Sequence, residues 1–152
     1  MQVTIKKLEP GRFVSFYGFG IQPEETAMNK LMRWCEKRNI SLDDKRNVIY
    51  GFNNPNPTSE SSEYGYEFWL KVDDKERPEE DIRLIEYHGG NYAVTECTGA
   101  LNMLQTWQAL YKWCIDNKYK IGHHQALERI LENITDIDEI KIELCCPIVL
   151  GN

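Results

Sequence analysis

The chain has 152 residues, 41% hydrophobic and 28% charged, with a formal net charge of -6. That length holds one domain with a core of its own, and its basic residues are interleaved with acids, as in EKRN and DKRN, so no basic stripe for nucleic-acid phosphates is present and no direct nucleic-acid partner is expected. No apolar run approaches the ~20 residues of a bilayer span, and MQVTIKKLEP lacks the apolar centre of a secretory signal; a cytoplasmic protein with no membrane partner is expected.

In chain order, VTIKKLE (3–9) alternates as a strand does, and GRFVSFYGFG (11–20) is a second strand, rich in aromatic and β-branched residues and closed by glycines. Pro23 opens a helix, PEETAMNKLMRWCEKRN, with acids in its first turn and bases in its last. Met28, Leu31, Trp34 and Cys35 recur at helical spacing and give it one apolar face. NVIYGF (47–52) and YGYEFWLKV (64–72) read as strands joined by the turn-rich NNPNPTSESSE. The charged run DDKERPEEDI (73–82) is a solvated connection.

The same order then returns. IRLIEY (82–87) and NYAVTECTG (91–99) are strands, and LNMLQTWQALYKWCIDNK (101–118) is an amphipathic helix with Leu104, Trp107, Leu110, Tyr111 and Cys114 on one side. ALERILE (126–132) fits a strand or a short helix, and IKIELCCPI (140–148) is a closing strand. At an offset of 79, Gly11 falls on Gly90, Phe13 on Tyr92, Gly20 on Gly99, Leu31 on Leu110, Trp34 on Trp113 and Cys35 on Cys114. The chain is therefore an internal duplication, roughly 1–77 and 78–152 with the boundary near Pro78. The expected fold is α+β: two pseudo-symmetric β-β-α-β-β repeats forming an antiparallel sheet with the helices packed on it, within one domain over 1–152. Trp34 and Trp113 are expected in the core, and a pocket is expected at the repeat seam.

The order strand, PGR, strand, a helix ending L-x-x-W-C, GGNYAV-x-x-x-x-G, a second helix, LERI and a closing strand through CCPI resembles the GyrI-like small-molecule-binding domain, the effector-binding module of AraC-type and multidrug-responsive regulators. The resemblance implies an aromatic-lined hydrophobic pocket with a buried acid that meets cationic drugs or dyes. It also implies a link to transcription regulation, and the chain resembles the family's stand-alone members. The family's carboxylate lies in a Glu-Arg-Tyr-like context shortly before the last strand. Here that segment is Leu127-Glu128-Arg129-Ile130, with Ile130 where an aromatic is often found.

Glu128 is thus the foremost site residue. At an offset of 79 the first copy has the apolar Ile49, and a carboxylate at a core-facing place is costly to bury unless a cation compensates it. Trp69, Tyr92, Trp107 and Tyr111, with Tyr66 as a weaker candidate, are the residues to stack on a planar cation. Along 64–72, Glu67 and Trp69 share one face; Glu67 is a candidate second pocket acid, with an exposed, solvent-facing Glu the favoured reading. Three readings follow: a binder of amphipathic cationic aromatic molecules, a hydrolase of cyclopropane-type electrophiles using Glu128 as base and Tyr111 as acid, or a protein-interaction module of the gyrase-inhibitor kind.

No cofactor is expected. His124 and Glu128 are four apart, but no third metal ligand accompanies them. No P-loop, dinucleotide-binding glycine pattern or Ser-His-Asp order is present. The five cysteines are odd in number and lack C-x-x-C spacing, which points to buried thiols rather than disulfides.

Overall fold

A computed structural model describes residues 1–77 and 82–151; the expected repeat boundary near Pro78 lies outside the described residues. The strands are β1 (Thr4–Leu8), β2 (Gly11–Gly20), β3 (Ile49–Asn53), β4 (Tyr64–Val72), β5 (Arg83–Tyr87), β6 (Gly90–Thr98), β7 (Lys120–Ile121), β8 (Leu127–Glu132) and β9 (Lys141–Val149). Helix α1 spans Pro23–Lys37, and α2 spans Met103–Asp116 behind a 3-10 turn at Ala100–Asn102. The fold is α+β, and every strand pair given below is antiparallel.

The chain divides into two compact units, Gly11–Tyr87 and Met1–Pro10 with His88–Asn152. The first strand of each sequence copy pairs with the second strand of the other. β1 lies against β6 with Lys6 opposite Tyr92, and β5 lies against β2 with Ile85 opposite Phe13. Lys6 and Ile85 stand 79 positions apart, as do Phe13 and Tyr92, so the two ladders are register-equivalent. In the first unit the strand order is β5-β2-β4-β3; in the second it is β1-β6-β9-β8, with β7 also on β9. ALERILE is strand β8. The two-residue β7 is too short to announce itself by periodicity; it sets Ile121 opposite Ile148.

Each unit carries its helix on one face of its strands. α1 packs on β2 and β4 through Ala27, Leu31, Trp34 and Cys35, all buried, and Trp34 meets Phe16 edge-on at 5.9 Å. Pro23 at its first position and Glu24 and Glu25 in its first turn fix its start. α2 packs on β6, β7 and β9. Its inward face is narrower than the sequence suggests: Leu110 and Cys114 are buried, whereas Leu104 and Tyr111 are 71% and 54% exposed. Trp34 is buried as expected, while Trp113 is half-buried and stacks on Tyr119.

Side chains alternate across a strand, so the faces sort by register. In the first unit Val14, Phe16, Phe68 and Leu70 lie on the helix side and Phe13, Ser15, Tyr50, Phe52, Glu67 and Trp69 on the other. In the second, Thr95, Glu128, Leu144 and Cys146 lie on the helix side, and Lys6, Tyr92, Val94, Glu143 and Cys145 on the other.

Candidate functional site

Two acids are buried among the described residues, Glu67 at 2% exposure and Glu143 at 6%. Glu67 stands opposite Tyr17 and Glu143 opposite Glu96. Tyr17 and Glu96 are 79 positions apart, so the two glutamates occupy equivalent places on β4 and β9. Each lies on the face away from its unit's helix.

Glu67 corrects the expectation of a solvent-facing acid. A buried carboxylate persists only when its lone pairs are satisfied, and these are. Oε1 accepts from Ser15 Oγ at 2.7 Å, Arg83 Nη2 at 2.8 Å and Trp69 Nε1 at 3.3 Å; Oε2 accepts from Asn54 Nδ2 at 2.6 Å. Burial pushes its pKa up, but hydrogen bonds from Asn54, Ser15 and Trp69, with the charge of Arg83, outweigh burial and hold it below the ordinary glutamate value. On the same face Phe13 meets Tyr50, Trp69 and Tyr87 at 5.4–5.9 Å between ring centroids, and Phe52 meets Trp69 edge-on at 4.9 Å.

Glu143 is held more lightly. Its Oε2 is 2.6 Å from Lys6 Nζ, in a pair whose side chains are 8% and 40% exposed respectively. Both residues line a cavity of about 540 Å³ with Val94, Glu96, Gln105 and Thr106. That volume falls among those of small-molecule sites. The cations that meet the two glutamates, Arg83 on β5 and Lys6 on β1, both come from the exchanged first strands.

Glu128 is half-buried on β8, opposite Leu144 and therefore on the helix side, where its Oε2 accepts a hydrogen bond from Trp107 Nε1 at 3.2 Å. Its register equivalent is Gly51, which stands opposite Phe68 as Glu128 stands opposite Leu144. The offset of 79 that pointed to Ile49 fails here because the second copy's connections are shorter. A Cβ at Gly51 would come within 2.2 Å of Tyr66 Oη, so that phenol covers the position.

Of the other sequence-predicted residues, Tyr92 is fully buried, donates to the Gln125 carbonyl at 2.8 Å and meets the His124 ring at 4.9 Å. Tyr111, one turn beyond Trp107, is on the exposed side of α2. Trp69 and Tyr66 are buried in the first unit on opposite strand faces. The structure thus brings Glu128 and Trp107 together, and sets Tyr92 on the opposite face from them. Glu143, Lys6, Ser15, Asn54 and Arg83 were missed. The available signal was a lone acid in each otherwise apolar run, YGYEFWL and IELCCPI, which marks a strand buried on both faces with one charge inside.

His124 is engaged through Nε2 with the Asn91 carbonyl at 2.9 Å. All five cysteines are free and buried. Burial pushes the Cys35 thiol up to about 11 and those of Cys145 and Cys146 up to about 12, the reverse of an activated nucleophile.

A family model described as GyrI-like small molecule binding domain matches residues 1–149. A comparison with curated proteins finds no match. Among solved structures, an EcmrR–DNA complex is similar with a TM-score of 0.71 at 17% identity; the match covers 97% of this chain, which spans only 57% of that one. A hydrolase from Listeria innocua is similar with a TM-score of 0.68 at 11% identity, covering 97% of this chain and 92% of that one. The structure of SAV2435 bound to tetraphenylphosphonium is similar with a TM-score of 0.55 at 13% identity, covering 98% and 94%. At these identities the likeness is one of fold.

Proposed function

The chain belongs to the family of GyrI-like small molecule binding domains, and from that premise we propose that it binds amphipathic cationic molecules, with Glu143 taking the ligand's positive charge. The observation that carries this is the state of Glu143: buried, on the wall of a cavity of about 540 Å³, and paired with a lysine whose side chain is 40% exposed. A buried carboxylate favours any cation that reaches it. Lys6 can move its ammonium into water on its flexible stem, and the ligand's cation then takes its place. On the strand face of Glu143, Val94 gives the cavity apolar wall, while Thr4 and Glu96 supply polar groups. The net charge of -6 favours cations at longer range.

This reading moves the anionic role from Glu128 to Glu143 and leaves Glu128 as the group that fixes the Trp107 indole. The bound phosphonium of the SAV2435 structure supports the choice of ligand charge. In the cell the role is sensing or sequestering such a molecule, in a cytoplasm reducing enough for five buried free thiols.

The test is calorimetric titration with tetraphenylphosphonium and with neutral triphenylphosphine oxide. Saturable binding of the cation, at least about tenfold tighter than of the neutral compound, is expected, with the cation recovered chemically unchanged. Equal affinity for the two, or no saturable binding of the cation, overturns the proposal.

A further inference from the structure

The outer side of α2 has no role in the site. Leu101, Leu104, Tyr111 and Ile115 are 94%, 71%, 54% and 48% exposed. With the exposed Gln108 between them they recur at steps of three and four residues, the spacing of one helical stripe. At about 100° per residue the centre of the stripe lies about 120° round the helix from the buried Leu110 and Cys114. α2 therefore has two apolar faces, and its own unit covers one.

The duplication supplies an internal control. At the equivalent positions, 79 residues earlier, the chain has Gln22, Glu25, Asn29, Met32 and Glu36. Those on α1 or just before it are exposed except for the half-buried Met32. The same place in the repeat is thus polar in one copy and apolar in the other. The fold itself does not require the apolar stripe, and contiguous exposed apolar patches of several hundred Å² mark interaction sites.

We propose that this stripe is a homodimer interface, in which two copies of α2 cross about a two-fold axis near Gln108. Three observations favour a second copy over another occupant. The stripe has no charged residue, and the flanking Lys112 and Asp116 already pair with each other at 2.5 Å, so two acidic chains meet there without local repulsion. Gln108 sits at its centre; a primary amide both donates and accepts, so on a two-fold axis it pairs with its own copy, whereas an apolar partner would leave it unsatisfied. The stripe exposes on the order of 500 Å² per copy, hence about 1,000 Å² in a dimer, the lower limit of a specific interface. The contact is isologous and closed, and its area sets a weak, concentration-dependent dimer.

Sedimentation equilibrium of the full chain from about 5 to about 500 μM is expected to show the mass rising from the 17.8 kDa monomer toward twice that value. Leu104→Glu should raise the dissociation constant at least about tenfold. Because every native thiol is buried, Gln108→Cys offers one accessible sulfur and should form a disulfide-linked dimer on mild oxidation. Glu36→Cys, at an exposed place on α1, should stay monomeric. A monomer at every concentration, or equal cross-linking by the two cysteine variants, overturns the proposal.

Discussion

Replacing Lys6 with Met should weaken the free protein and strengthen its grip on a cationic ligand. Met keeps most of the apolar stem and removes only the charge. The pair it breaks is intermediate in burial: the Glu143 side chain is 8% exposed and that of Lys6 40%, at 2.6 Å. Exposed pairs contribute at most about 1 kcal/mol and breaking a fully buried pair costs about 3–5 kcal/mol, so about 2 kcal/mol is expected here. In a chain of this length that lowers the melting temperature by roughly 4–8 °C. The wild type must give up the same interaction when a ligand's cation displaces Lys6, and the variant does not. Its affinity for tetraphenylphosphonium should therefore rise by at least about tenfold, and by about thirtyfold if all 2 kcal/mol is recovered. Calorimetry gives the affinity and thermal melts with and without ligand give the stability; the deficit of the variant should shrink at saturation. Weaker binding by Lys6→Met, or unchanged affinity beside a clear loss of stability, would refute the displacement argument.

Glu67 titrates below its ordinary value in the folded protein, so it adds stability above the unfolded carboxyl's range and loses it as pH falls through the folded value. Glu67→Gln should flatten the loss of stability below about pH 4.5, as read by urea unfolding across an acid series. Gly51→Ala should cost about 1–3 kcal/mol by overpacking against Tyr66, whose Oη would lie 2.2 Å from the new methyl; adding Tyr66→Phe should restore part of that loss in thermal melts. A thiol reagent at pH 8 should react with the folded protein far more slowly than after denaturation, because burial raises the pKa of Cys35, Cys145 and Cys146 to about 11 or 12.

Element type and order were legible because the duplication doubles every signal: β4 falls on 64–72 and α1 opens at Pro23, as the pattern indicates. The exchange of β1 and β5 was not legible. Strand pairing is long-range, and VTIKKLE has the same alternation whichever neighbour it adopts. Glu67 misled for a related reason. Its partners Ser15, Asn54 and Arg83 lie on three other stretches of chain, so no local reading can foresee that a buried charge there is satisfied. Glu128 was singled out by its family context, and its first-copy equivalent, Ile49, was read at a fixed offset that the shorter second-copy loops break; ladder register, which only the folded chain supplies, gives Gly51 instead. The helix α2 was read correctly as amphipathic, but its pattern contains two apolar stripes, and periodicity alone does not say which one faces inward.

The most direct measurement compares tetraphenylphosphonium affinity in Glu143→Gln and Glu128→Gln with that of the wild type by isothermal titration calorimetry, after circular dichroism establishes that both variants fold. Glu143→Gln should lose at least about tenfold in affinity, and Glu128→Gln should bind nearly as the wild type does. Wild-type affinity in Glu143→Gln, with the loss appearing in Glu128→Gln, would contradict the role given to Glu143.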